Sequence, residues 1–330
     1  MRFLFGAGMG GRDRNKICYC GSGLKYKKCH MLIKEKVFAQ KYIEGKKLKL
    51  YELQKIFDET LYPEICMASE LDDKCSNKII NAHTLTKSLS LEKIAKNGHV
   101  YSIYNKSIYD LDNNKGFTPF QKIGVRTAST IKGFCSYHDD KLFQSIEKKN
   151  FNLENEQLIA LFYRTFALEF YKKRSSLENA RRLFKPLLDS FNSINTYSGS
   201  EILTNNLKRA KLDYEDLSYL NEVIIGIIKQ NNYSRIRCYS IKMNFKIPFV
   251  CSSMFGVYKN LDGSILQDIF DATVPRISMT ALNIFYDKNG MSWILLNWID
   301  IDEYETNKTI IKFIIRRTSK CYCKSNDALY

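Results

Sequence analysis

Apolar residues recur at helical spacing over about residues 31–58, which begin MLIKEKVFAQKYIEG, and lysine fills the other face. This stretch reads as a helix that Gly45 breaks in two. Helical spacing returns over residues 152–195. There LENEQLIALFYRTFALEFYKKR is strongly amphipathic, SSLENARRLF offers Ser175 or Ser176 as an N-cap, and Pro186 marks an interruption. Arg164, Glu169 and Lys172 read as a solvated face. A further helix is expected over 201–230. From about residue 233 the period shortens to that of strands, in RIRCYSIKMNF, VCSSMFGVYKN, ISMTALNIFYDKNG, SWILLNWID and TIIKFIIRR. Turn signals such as Lys288-Asn289-Gly290 separate them. Their alternating aromatics fit a sheet core better than a base-stacking platform. The pattern predicts an α+β fold in five segments, 1–32, 33–62, 63–150, 151–230 and 231–320, the last an antiparallel-sheet domain.

The 330 residues are enough for two or three units with cores of their own. FLFGAG at 3–8 is too short for an export signal, and apolar runs such as IIGII at 224–228 are too short to span a bilayer. A soluble, cytoplasmic protein with no membrane partner is expected, its cysteines thiols or metal ligands rather than disulfides. Lys and Arg number 51 against 35 acids, a formal net charge of +16, which favours nucleic acid as a partner. Residues 1–50 carry 13 Lys or Arg against 3 acids, a local foot for phosphates. GAGMGG lacks the flanking strand and helix of a phosphate loop.

Cysteine and histidine are unevenly placed. All four His and six of the ten Cys lie within the first 138 residues. Zinc needs thiolates and imidazoles gathered in fours, so metal chemistry belongs to the first half. Cys321-x-Cys323 opens like a knuckle, but no closing ligands follow. In RDRNKICYCGSGLKYKKCH the spacing is Cys18-x-Cys20-x8-Cys29-His30, with Gly21 and Gly23 to curl the backbone over an ion. A unit this short has no core, so metal supplies its folding free energy. The segment resembles the SEC-C motif over residues 12–32, with Leu24 where the family often has Lys. The resemblance implies structural zinc on Cys18, Cys20, Cys29 and His30, and contacts to a protein partner or nucleic acid.

Residues 63–150 gather the other early ligands. Cys66 and Cys75 open the stretch, NAHTLTKS places His83, NGHVY places His99, DLDNNKG reads as a loop, and GFCSYHDDKLFQSIE ends it with Cys135-x2-His138-Asp139. Cys66, Cys75, Cys135 and His138 can make a second zinc site of treble-clef layout: a knuckle, a β-rich middle, then a pair at a helix start. The plain alternative is two buried cysteines and a capping histidine. The segment resembles HNH endonucleases. That resemblance implies His83 as general base on water, and Asp139 as ligand of a catalytic Mg²⁺ or Mn²⁺. His99 is a second catalytic group or a hydrogen-bonded strand residue; the family's middle Asn has no fixed counterpart in this sequence, and Asn97 is a candidate for it. The first knuckle is C-x8-C where the family has C-x2-C, and Ala82 occupies the place of a metal-binding Asp or His. A SEC-C knuckle beside such a module resembles components of bacterial antiphage defence. The alternative function is a zinc adaptor without catalysis, binding a protein or nucleic acid.

Overall fold

The computed structural model describes residues 63–103, 108–118, 120–194, 197–259, 262–267 and 277–301, with a few isolated positions before residue 63. The knuckle at 18–30, most of the stretch 31–58, and TIIKFIIRR lie outside the described residues. The fold is α+β. Strands β1 (Ile79–His83), β2 (His99–Ile103), β3 (Phe120–Gly124) and β4 (Thr130–Cys135) precede helix α2 (Ser136–Glu147). Helix α1 (Ile108–Asn113) occupies part of the expected DLDNNKG loop. Helices α3 (Asn155–Ile194) and α4 (Tyr197–Lys229) lead to strands β5 (Ile236–Met243), β6 (Cys251–Gly256), β7 (Met279–Tyr286) and β8 (Ser292–Ile299). Among the described residues no helix is long and apolar enough to cross a membrane.

The chain forms two compact units. One takes residues 1–62, 103–119 and 173–214, and the other 63–102, 120–172 and 215–330. The segment boundaries expected near 150 and 230 therefore fall inside the second unit. In the first unit, Lys173 on α3 pairs with Asp213 on α4 at 2.5 Å.

The second unit is organised by the front half of α3. Gln157, Leu158, Phe162, Tyr163, Thr165 and Phe166 are each at most 1% exposed, and 157–167 is buried at every position, so this stretch is covered all round rather than amphipathic. Arg164 is correspondingly 3% exposed, not on a solvated face. Its charge is tolerated because Glu147 pairs with it and the Phe143 ring lies 4.1 Å from its guanidinium carbon. The helix runs unbroken past Ser175, which is therefore buried mid-helix rather than an N-cap, and past Pro186. A proline removes one N–H and bends a helix without having to end it.

Sheet β5-β8-β7-β6 is antiparallel throughout. Its polar inner positions explain its seat on α3. The Thr165 hydroxyl lies 2.9 Å from Asn283 Oδ1 and from Ser252 Oγ, and Asn297 Nδ2 donates to the Leu158 carbonyl at 3.0 Å. Phe151 completes the contact, edge-on to Phe285 and Trp293. On the other side of α3, Tyr163 meets Phe134 of β4 edge-on, and its buried hydroxyl lies 3.2 Å from both the Met67 carbonyl and Asn221 Oδ1. A hydroxyl donates to one acceptor at a time. Tyr163→Phe is expected to cost about 1 kcal/mol, a fall in Tm of roughly 2–4 °C in a thermal melt.

The candidate metal centre and the polar cluster behind it

Strand β4 is hydrogen-bonded on both edges. β1 runs antiparallel along one, with Ile79 opposite Cys135 and His83 opposite Thr130, and a bulge between Ile80 and Ala82. Along the other, Ile65 and Met67 donate to the carbonyls of Lys132 and Gly133. The space a side chain would take at Gly133 is filled by the tips of the Met67 and Ile131 side chains. The knuckle then turns at once, with Ser69 N–H donating to the Cys66 carbonyl and Leu71 N–H to the Ala68 carbonyl. This brings Cys66 and Cys75 over the end of β4, where α2 begins.

Cys135 is the N-cap of α2, and its sulfur accepts the His138 N–H. An N-cap and the residue three positions on share one turn, so the C-x2-H spacing puts sulfur and imidazole side by side. His138 Nδ1 lies 3.3 Å from Cys66 Sγ and 3.4 Å from Cys135 Sγ. The ligand atoms of Cys66, Cys75, Cys135 and His138 all lie within 4.8 Å of one another. Tetrahedral zinc with ordinary bond lengths has sulfur–nitrogen edges of about 3.6 Å and sulfur–sulfur edges of about 3.8 Å. The site is of that size and its soft donors suit that ion.

The surroundings fit as well. His138 is fully buried, and its Nε2 lies 3.2 Å from Asp72 Oδ1. A carboxylate only accepts, so Nε2 carries the proton and the Nδ1 lone pair faces the sulfurs. Asp72 is in turn held by Lys141 at 2.6 Å, which keeps its carboxyl far below the usual range. Burial pushes the Cys66 thiol up to about 12. At Cys135 burial pushes the same way, but hydrogen bonds from the His138 N–H and from Ser76 bring the thiol down to about 6. Asp72 was missed in the sequence, where LDDK near Cys75 gives no sign of a partner 66 positions away. Asp72→Ala is expected to weaken zinc binding about 10–100-fold in a competition titration with a chelator, with the stoichiometry unchanged.

The opposite face of α2 carries Asp139, Phe143, Ile146 and Glu147, spaced to point inward. Asp139 Oδ1 is buried and has no hydrogen-bond partner among the described residues, and neither has Arg164 Nε. Burial raises the Asp139 carboxyl, while the charges of Arg164 and His83 lower it. Glu147 pairs with Arg164 and takes a long hydrogen bond from Ser88. His83 ends β1, half-buried, with Nε2 3.0 Å from the Val125 carbonyl. A carbonyl cannot donate, so this contact fixes the proton on Nε2 and leaves Nδ1 as the basic nitrogen.

His99 is elsewhere. It opens β2, exposed, with Nδ1 2.7 Å from the Asn97 carbonyl. Asn97 and Gly98 both have positive φ and form the two-residue turn that pairs Lys96 with His99, so this Asn-Gly is a hairpin turn. Arg164, Glu147 and Ser88 were not anticipated around His83 and Asp139. Arg164 lies in a stretch whose periodicity reads as an exposed stripe.

Comparison with known proteins gives one match. Residues 14–32 match the SEC-C motif, a zinc-binding motif, and this covers a small fraction of the chain. No curated protein and no solved structure matches. The motif and the Cys66, Cys75, Cys135 and His138 cluster together mark a metal-binding protein whose donors suit zinc.

Proposed function

We propose that residues 63–150 form a zinc-stapled, HNH-like centre that hydrolyses phosphodiester bonds in nucleic acid. One observation carries the reading. His83, at the end of β1, has its Nε2 proton committed to a carbonyl, and Asp139, whose carboxyl feels the His83 charge, has a buried oxygen without a hydrogen-bond partner among the described residues. His83 Nδ1 takes a proton from water as the water oxygen attacks phosphorus, and the bond to the leaving sugar oxygen breaks, that oxygen taking a proton from solvent. A Mg²⁺ or Mn²⁺ ion held by Asp139 would offset the charge that builds on the phosphoryl oxygens. The net charge of +16 draws a polyanion to the protein. A role in antiphage defence rests only on the pairing with a SEC-C knuckle, an analogy of architecture.

A second reading has its own observation. Ala82, 2% exposed, stands where the HNH family places a further metal ligand, which favours an adaptor without catalysis. Zinc-loaded protein incubated with labelled DNA and RNA, single- and double-stranded, with Mg²⁺ or Mn²⁺, separates the two. Cleavage that needs the added ion supports the enzyme. Intact substrates under every condition leave the adaptor.

A further inference from the structure

The ribbon of β2 and β3 lies beside His83 and has two unlike faces. One packs inward, with Val100 among Leu91, Val125 and Ala128, and Ile123 against them. The other turns out His99, Tyr101, Phe120 and Lys122, with Tyr101 72% and Phe120 69% exposed. Large aromatics this open on a short ribbon add nothing to a core. The charged residues along the ribbon and its immediate flanks, 93–102 and 120–126, are all basic. Lys93, Lys96, Lys122 and Arg126 are all exposed, none is ion-paired among the described residues, and segments 93–102 and 120–126 contain no acid. Val125, whose carbonyl holds His83, lies between Lys122 and Arg126 in the chain, so the ribbon leads directly to the proposed base.

We infer that this ribbon is a platform for single-stranded nucleic acid, with Tyr101 and Phe120 stacking on unpaired bases and Lys93, Lys96, Lys122 and Arg126 following the phosphates. Aromatic faces take any base, and cations along segments that carry no acid suit a polyanion. In a duplex the bases are already stacked on each other, so the aromatics favour unpaired strands. The inference rests on the proposed nucleic-acid role and names the substrate class for it.

The test is fluorescence anisotropy with zinc-loaded full-length protein, without Mg²⁺ or Mn²⁺. The probes are labelled oligothymidylate and oligouridylate of about 20 nucleotides, longer than the site of one small module, and a DNA hairpin of equal charge. The double variant Tyr101→Ala/Phe120→Ala is expected to bind either single strand at least about tenfold more weakly, with hairpin binding and the salt slope unchanged. Lys122→Ala/Arg126→Ala is expected to weaken both probes and to flatten the single-strand salt slope by about 1.4. Unchanged single-strand binding in the aromatic variant overturns the inference. So does an equal loss on strand and hairpin, or a wild type that binds no oligonucleotide. Binding here together with no cleavage in the separate assay with Mg²⁺ or Mn²⁺ leaves the platform standing and removes the nuclease reading, whereas ion-dependent cleavage indifferent to Tyr101 and Phe120 does the reverse.

Discussion

Cys135→Ser is expected to lose one zinc per chain and to lower the Tm by about 10–20 °C. The size follows from what meets at this sulfur. It ends β4, caps α2 and stands with Cys66, Cys75 and His138 in the cluster. Structural zinc supplies on the order of 10 kcal/mol in small modules, and a larger domain that keeps part of its core forfeits about half of that. In a unit of roughly 200 residues, about 5 kcal/mol corresponds to the stated fall. Elemental analysis and a thermal melt on the same preparation check it. With the SEC-C knuckle loaded, the wild type should hold two zincs and Cys135→Ser one, while Cys20→Ser should lose the other and leave the main melting transition in place. A Cys135→Ser protein with full zinc and an unchanged melt would mean that the cluster is ordinary cysteine packing.

His83→Ala is expected to reduce ion-dependent cleavage by about 10²–10⁴-fold, the usual contribution of a positioned general base. It should leave zinc content unchanged and move the Tm by no more than a few degrees, because His83 is half-buried and its described hydrogen bond is to one carbonyl. Asp139→Asn should lose activity too, yet the loss should shrink as Mn²⁺ is raised if the residue acts through the ion. Lys148→Ala is the internal control, since Lys148 is exposed at the end of α2, pairs with exposed Asp140 and belongs to neither the centre nor the ribbon, and it should leave the rate within about twofold of wild type. A His83→Ala protein as active as wild type would remove the base from the scheme and return the module to the adaptor reading.

Some of this was readable along the chain. The grouping of Cys66, Cys75, Cys135 and His138 was legible because C-x2-H before a helix is a local geometry, and the clustering of all His before residue 139 limited the choice of partners. Strands β5 to β8 were legible as short β-rich runs set apart by turn signals, although β7 and β8 are covered at most positions rather than alternating. The surroundings of each group were not. Arg164 was assigned to solvent because its position on α3 has a helical period, and period does not tell a helix with one buried stripe from one covered on every side. Asp72 and Glu147 act through partners that only folding brings near. Tyr101 and Phe120 sit in strands too short for alternation to say which face meets water.

Cys66 and His138 are 72 positions apart, and His83 and the β2–β3 ribbon lie within the loop they close. A contact at that separation is normally made late, after the chain has surrendered the entropy of bringing distant parts together. A metal changes the order. One ion held by the local pair Cys135 and His138 can capture Cys66 and Cys75 by ligand exchange, before any packing between them exists. The ion would then act as a clasp that shortens the conformational search, and refolding should be much slower in chelator than in zinc, even where the final structures agree.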